Sequence, residues 1–131
     1  MKKIFLSGTF KEKEEEASLK EIYDLLSREY EVWWALLKLG RGYGSEDEKR
    51  IKQVVEIEKE NIRNSNALVA CLKEPTPGTL MEVLYAFENK IPVIGYWMAK
   101  NPRLVDSPWI KYHISKAVDR KEDLISVLHN L

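Results

Sequence analysis

Apolar and polar positions alternate in blocks along the chain, and the blocks change period. Residues 3–7 (Lys-Ile-Phe-Leu-Ser) form a short apolar run closed by Gly8, the pattern of a buried strand. Residues 12–28 are charged but carry Ala17, Leu19, Ile22, Tyr23, Leu25 and Leu26, a stripe at helical spacing. Residues 30–37 predict a second strand running into a loop. Gly40-Arg41-Gly42-Tyr43-Gly44-Ser45 then predicts the most flexible part of the chain. Ser45 or Asp47 is placed to cap a helix reaching about Arg63. The six residues 67–72 (Ala-Leu-Val-Ala-Cys-Leu) are continuously apolar, as in a strand covered on both faces. Pro75-Thr76-Pro77-Gly78 predicts a rigid turn, and a helix follows from about Thr79 to Asn89. Residues 92–97 predict a fourth strand, 98–106 a polar loop and 107–112 a short helix. A weak fifth strand falls near 114–118, and 120–131 closes as a helix.

Strands alternate with helices, and the strands are apolar throughout rather than two-faced. That pattern predicts an α/β domain: a doubly wound, flavodoxin- or Rossmann-like parallel sheet of four to five strands, with helices on both faces. One such domain accounts for residues 1–131. In these sheets ligands bind beyond the C-terminal strand ends, where strand order reverses. Segments 7–13, 38–46, 73–82 and 97–109 are therefore where chemistry is sought.

Composition narrows the function classes. The chain has 131 residues, 44% of them apolar, which is enough for one core and incompatible with wholesale disorder. Lys plus Arg and Asp plus Glu each number 21, so there is no global positive field of the kind that holds a nucleic-acid polymer. No apolar run approaches a membrane span, and the opening Met-Lys-Lys-Ile-Phe-Leu turns polar too soon for a secretory signal. A single cysteine, Cys71, excludes an internal disulfide, and no Cys/His cluster has zinc spacing. The expectation is a cytoplasmic protein. The 16 Glu and 15 Lys against one Gln add a bias associated with hot environments.

Two carboxylates stand at unexpected positions. Thr79 and Glu82 have the spacing of a capping box, in which both side chains satisfy amides of the first helical turn. Yet Leu80, Met81, Val83, Leu84, Tyr85, Ala86 and Phe87 make this helix apolar on nearly every face, which predicts burial. A carboxylate there would lie on the floor of the ligand crevice. The helix N-terminus favours its charged form, which suits a nucleophile. The helix before the third strand carries an inward stripe of Ile51, Val54, Val55, position 58 and Ile62, and position 58 is Glu. Glu58 either snorkels from the stripe edge or is a buried carboxyl of raised pKa, fit for general acid or base work.

Other signals are weaker. Ser7-Gly8-Thr9-Phe10, followed by Lys11, ends strand one with small hydroxyl residues able to hold a phosphate or sugar, or forms a plain turn. It matches neither a P-loop nor a dinucleotide fingerprint. Trp33, Trp34, Tyr43, Tyr96 and Trp97 fall near strand ends and read mainly as core. Cys71 reads as a small hydrophobe, Asn66 as a turn cap, and His113 and His129 as incidental.

Taken together, Ser65-Asn-Ala-Leu-Val-Ala70 and Pro75-Thr-Pro-Gly-Thr-Leu-Met-Glu82 resemble the nucleoside 2-deoxyribosyltransferases. Their spacing is nearest to that of the related 2'-deoxynucleoside 5'-monophosphate N-glycosidases. The opening Lys3-Ile-Phe-Leu-Ser-Gly-Thr-Phe10 and the Ser107-Pro-Trp-Ile110 segment extend the resemblance over most of the chain. The resemblance implies that Glu82 attacks C1' of a deoxyribose and forms a covalent glycosyl-enzyme, with water or a second base releasing the sugar. It puts Glu58, 24 residues earlier, where those hydrolases have an assisting aspartate. It implies substrate contacts from Ser7, Gly8, Thr9, Phe10, Lys11, Asn66, Gly78 and Thr79. It also implies that Ser107 reaches the phosphate from a neighbouring subunit, hence a homodimer with shared active sites, and no cofactor or metal.

The chain departs from that pattern at Glu58 and Asn66, both in place of Asp. Leu80 and Leu84 replace small residues, which predicts a narrower pocket, and Lys11 replaces an arginine and loses its bidentate fork. The expected activity is cleavage of the N-glycosidic bond of a small nucleoside or nucleotide. The alternatives are a non-catalytic nucleotide-sensing module on the same scaffold and an enzyme that attacks a ribosyl bond such as that of NAD.

Overall fold

The computed structural model describes residues 2–40 and 47–131. The chain runs β1 (Lys3–Ser7), α1 (Lys13–Ser27), β2 (Glu31–Trp34), α2 (Ala35–Leu39), α3 (Glu48–Arg63), β3 (Ala67–Leu72), α4 (Pro77–Glu88), β4 (Val93–Trp97), α5 (Pro102–Val105), α6 (Pro108–His113), β5 (Lys116–Val118) and α7 (Asp123–His129). All five strands are parallel, in the order β2-β1-β3-β4-β5. This is the flavodoxin-like order, and its switch point lies between β1 and β3.

The period-2 alternation of the strands splits the core into two layers. Ile4, Leu6, Val32, Trp34, Val69, Cys71 and Ile94 point to one face, where Leu19, Ile22 and Leu26 of α1 and Leu124 and Leu128 of α7 cover them. Phe5, Trp33, Leu68, Ala70, Leu72 and Val93 point to the other, beneath Ile62 of α3, Val83 and Ala86 of α4 and Leu104 of α5. Phe5 and Trp33 stack there at 5.0 Å between ring centroids. Every residue of β3 is buried, as its unbroken apolar run predicts.

The structure differs from the sequence expectation at the end of β2, at the start of α4 and at residues 102–105, where part of the expected polar loop forms α5. The second strand ends at Trp34, and residues 35–39 (Ala-Leu-Leu-Lys-Leu) form α2. These are strong helix formers, and an apolar run without a clear period does not separate strand from helix. Gly40 ends α2 with φ +78°, a conformation that favours glycine. The remainder of the glycine-rich stretch, with Tyr43 and Ser45, lies outside the described residues. Asp47 caps α3, accepting from the Lys49 amide at 3.0 Å. Finally, α4 starts at Pro77 rather than Thr79, with Pro at the first helical position, where its missing N–H costs nothing.

Among the described residues no helix is long and apolar enough to cross a membrane.

Candidate active site

Ser7 is the last residue of β1, and strand alternation turns it to the same face as Phe5, towards α3 and α4. It is buried. Glu82 reaches it from α4: Ser7 Oγ donates to Glu82 Oε1 at 2.5 Å. Glu58, half-buried on α3, completes the group with a side-chain hydrogen bond to Glu82. Three residues from three elements thus meet beyond the C-terminal end of β1, beside the switch point.

The electrostatics of this group follow from burial. Desolvation, the charge of Glu58 and the hydrogen bond with Glu58 push the Glu82 carboxyl well above the ordinary carboxylate value, and the Ser7 hydroxyl alone pulls it back. Desolvation also raises Glu58, while its bond with Glu82 lowers it. The two carboxyls therefore hold a proton between them above the usual range, with Glu82 the stronger holder. This reverses the expectation that the helix N-terminus keeps Glu82 charged. Because α4 begins at Pro77, Glu82 stands in its second turn, and the dipole effect fades after the first.

The same shift of the helix start removes the capping-box reading. Thr76 occupies the cap position, and Thr79 is a buried residue inside the first turn. The stripe on α3 also turns further than expected: Val54 and Ile62 are buried while Ile51 and Val55 are exposed, which leaves Glu58 on the inner flank. On α4 Leu80 packs against the core, whereas Met81 and Leu84 are exposed, so α4 is not buried all round.

The remaining expected site residues divide by position. Gly8 is needed for close packing: a Cβ there would stand 2.9 Å from Leu19 Cδ2 and 3.2 Å from Cys71 Cβ. Phe10 packs edge-on against Trp34 at 6.4 Å, and Lys11 is exposed just beyond it. Gly78 is exposed, with open space where a Cβ would go. Ser107 caps α6, its Oγ accepting from the Ile110 amide at 3.4 Å. Asn66 is not at the site. It precedes β3, so it lies at the N-terminal edge of the parallel sheet, the opposite end from Ser7. There its Oδ1 accepts from the Lys3 amide at 2.8 Å.

Thr9 lines a cleft of about 160 Å³ at the switch point, with Ser18, Lys73, Glu74, Thr76 and Cys71. Lys73, Glu74 and Thr76 carry no individual sequence signal and fall within segment 73–82, since residues after β3 must border the crevice in this topology. Burial pushes the Cys71 thiol up to about 12, so it is inert, in keeping with its reading as a small hydrophobe. His113 Nδ1 pairs with the Trp109 carbonyl oxygen, and His129 pairs with Glu29, both away from the acidic pair. Among the described residues no three His, Cys, Asp or Glu side chains are grouped to hold a metal.

No family model matches the sequence, and no curated protein is significantly similar to it. Solved structures do match. A 2-deoxyribosyltransferase from Bacillus psychrosaccharolyticus superposes with a TM-score of 0.81 at 14% identity, over 93% of this chain and 89% of that one. A conserved protein from Enterococcus faecalis V583 gives 0.76 at 20% identity, over 100% and 99%. The CMP N-glycosidase BcmB of Clostridium botulinum gives 0.62 at 17% identity, over 99% and 100%. At these identities the likeness is one of fold, and it is the fold implied by the sequence resemblance.

Proposed function

We propose that this protein cleaves the N-glycosidic bond of 2'-deoxynucleosides or their 5'-monophosphates, with Glu82 as nucleophile and Glu58 as acid and base. The observation that carries this reading is the hydrogen-bonded pair of carboxyls, one from α3 and one from α4, gathered with Ser7 at the C-terminal end of β1. A pair holding one proton contains both reagents. With the proton on Glu58, Glu82 is a carboxylate that attacks C1' as the bond to the base breaks. The bond's electron pair leaves with the base, which takes the proton from Glu58. Water then attacks C1', gives a proton to Glu58 and restores Glu82, as in retaining glycosidases. A second base in place of water makes the reaction a transfer. The fold shared with a 2-deoxyribosyltransferase and a CMP N-glycosidase supports this class of substrate.

The reading includes a homodimer with shared sites. Met81 and Leu84 of α4 and Ile51 and Val55 of α3 are exposed on the helices that carry the acidic pair, and apolar surface of this kind favours contact with a second copy. Ser107 would enter the partner's site. Neither a cofactor nor a metal takes part.

The test is base release followed by chromatography, using the four deoxynucleosides and their monophosphates with and without an added free base. Release without added base identifies a hydrolase, and a new nucleoside formed only with a second base identifies a transferase. Nicotinamide freed from NAD, with deoxynucleotides untouched, identifies the NAD-cleaving reading. Binding without release in any mixture, repeated near 80 °C because of the Lys/Glu bias, replaces the proposal with the sensing module.

A further inference from the structure

We propose that Ser7 is a positioning residue: its hydroxyl, fixed on β1, holds Oε1 of Glu82 and leaves Oε2 as the oxygen that attacks the sugar carbon. This rests on Glu82 being the nucleophile, and it assigns Ser7 to the enzyme's own carboxyl rather than to substrate. A serine hydroxyl has one proton to donate, and here it is spent on Glu82 at 2.5 Å. The donor is rigid. β1 lies between β2 and β3 in the sheet, and Ser7 is paired with Ala70.

The acceptor needs such a fixture. The terminal torsion of a glutamate is broad and roughly two-fold, so its two oxygens are interchangeable until a donor distinguishes them. Ser7 makes that distinction from the strand side while Glu58 approaches from α3.

The surroundings leave this role to Ser7. Glu58 is the titratable group that acts on Glu82 among the described residues, and it acts against the ionised form. The cations of α3 nearest along the helix are turned elsewhere: Lys59 lies over the Tyr85 ring and Arg63 donates to the Tyr85 hydroxyl. Cys71 belongs to the opposite face of the sheet. Among the described residues Ser7 is thus the group that favours a charged Glu82.

The experiment follows the side-chain carboxyls of the full chain by ¹³C NMR after labelling glutamate, with Glu82 identified by the signal lost in Glu82→Gln. In Ser7→Ala the Glu82 midpoint moves up by about one pH unit, the scale of one lost hydrogen bond to a charged group. The acid limb of kcat against pH moves with it. At neutral pH kcat falls about tenfold while KM stays within about twofold. A folded Ser7→Ala with unchanged Glu82 titration overturns the proposal. Should Ser7→Ala unfold, Ser7→Cys, which keeps the volume but only a weak donor, must show the same upward movement or the proposal falls. Base release by the wild type is measured in parallel. A silent wild type with a shifted variant overturns the glycosidic reading and keeps Ser7 as the group that sets Glu82. An active wild type with an unshifted variant does the reverse.

Discussion

Glu58 and Glu82, from neighbouring helices on one face of the sheet, share a hydrogen bond that two charged carboxylates could not form. At least one must carry the proton, and burial of Glu82 decides where it is held most tightly. Under the proposed mechanism, function and stability are linked through this one proton.

Replacing Glu82 by Gln separates the two. Gln imitates the protonated acid, accepting from Ser7 and donating to Glu58, but it cannot attack C1'. Base release is expected to fall by at least about 10³-fold. Stability moves the other way. The folded Glu82 is raised above its ordinary value of 4.5, so its contribution is fully present below that pH and is lost as pH rises through the folded value. Glu82→Gln lacks this loss. Denaturant titrations between pH 4 and 8 are expected to show the wild type weakening with rising pH and the variant weakening less. Parallel curves would show that Glu82 is not held as a buried acid.

Glu58→Gln removes the charge that opposes ionisation of Glu82, so the Glu82 midpoint falls towards the ordinary range. Under the proposed mechanism it also removes the proton donor to the leaving base. Cleavage of a poor leaving group such as adenine is expected to slow about 10²–10⁴-fold, with substrate binding kept within about twofold. Nucleosides whose base leaves readily without protonation recover much of that loss. Equal slowing for good and poor leaving groups would reassign Glu58 from proton donor to a purely structural partner of Glu82.

Gly8 tests the crevice wall. A Cβ there meets Leu19 Cδ2 at 2.9 Å and Cys71 Cβ at 3.2 Å, and Cys71 is on a strand that cannot yield. Gly8→Ala is expected to cost about 1–3 kcal/mol in denaturant unfolding. Gly78→Ala meets open space inside a helix and is expected to be neutral or stabilising by about 0.5–1 kcal/mol. A tolerated Gly8→Ala would mean that α1 shifts freely against β3.

The first four strands were legible because buried parallel strands are short apolar runs, and 67–72 is as plain an instance as the chain contains, whereas β5 is largely exposed and gives only a weak signal. The acidic pair was legible for the same reason: each carboxylate interrupts an apolar pattern. Helix boundaries were not. The spacing of Thr79 and Glu82 suggests a cap, but Pro77 begins α4 two residues earlier and carries Glu82 into the second turn. Residues 35–39 continue the apolar run of β2, and only packing decides that they coil. The Ser7–Glu82 bond joins positions 75 apart in the chain, beyond the reach of any local pattern.

Exposed Met81 and Leu84 predict self-association. Sedimentation of the wild type is expected to give a dimer, and Met81→Lys with Leu84→Lys a monomer. A dimer that survives both changes would place the interface elsewhere, and the exposed Trp109 and Tyr112 of α6 would be the next face to charge.

Asn66 supplies the control. The strands are parallel, so a residue before β3 and a residue after β1 cannot share an end of the sheet, and Asn66 instead ties the start of β3 to the Lys3 amide. That bond is exposed, so Asn66→Ala is expected to cost about 0.5–1.5 kcal/mol of stability. Turnover, measured below the unfolding temperature of the variant, should match that of the wild type in both kcat and KM. A selective rise in KM at unchanged stability would mean that the N-terminal edge of the sheet contacts substrate after all, which a crevice at the β1–β3 switch point does not allow.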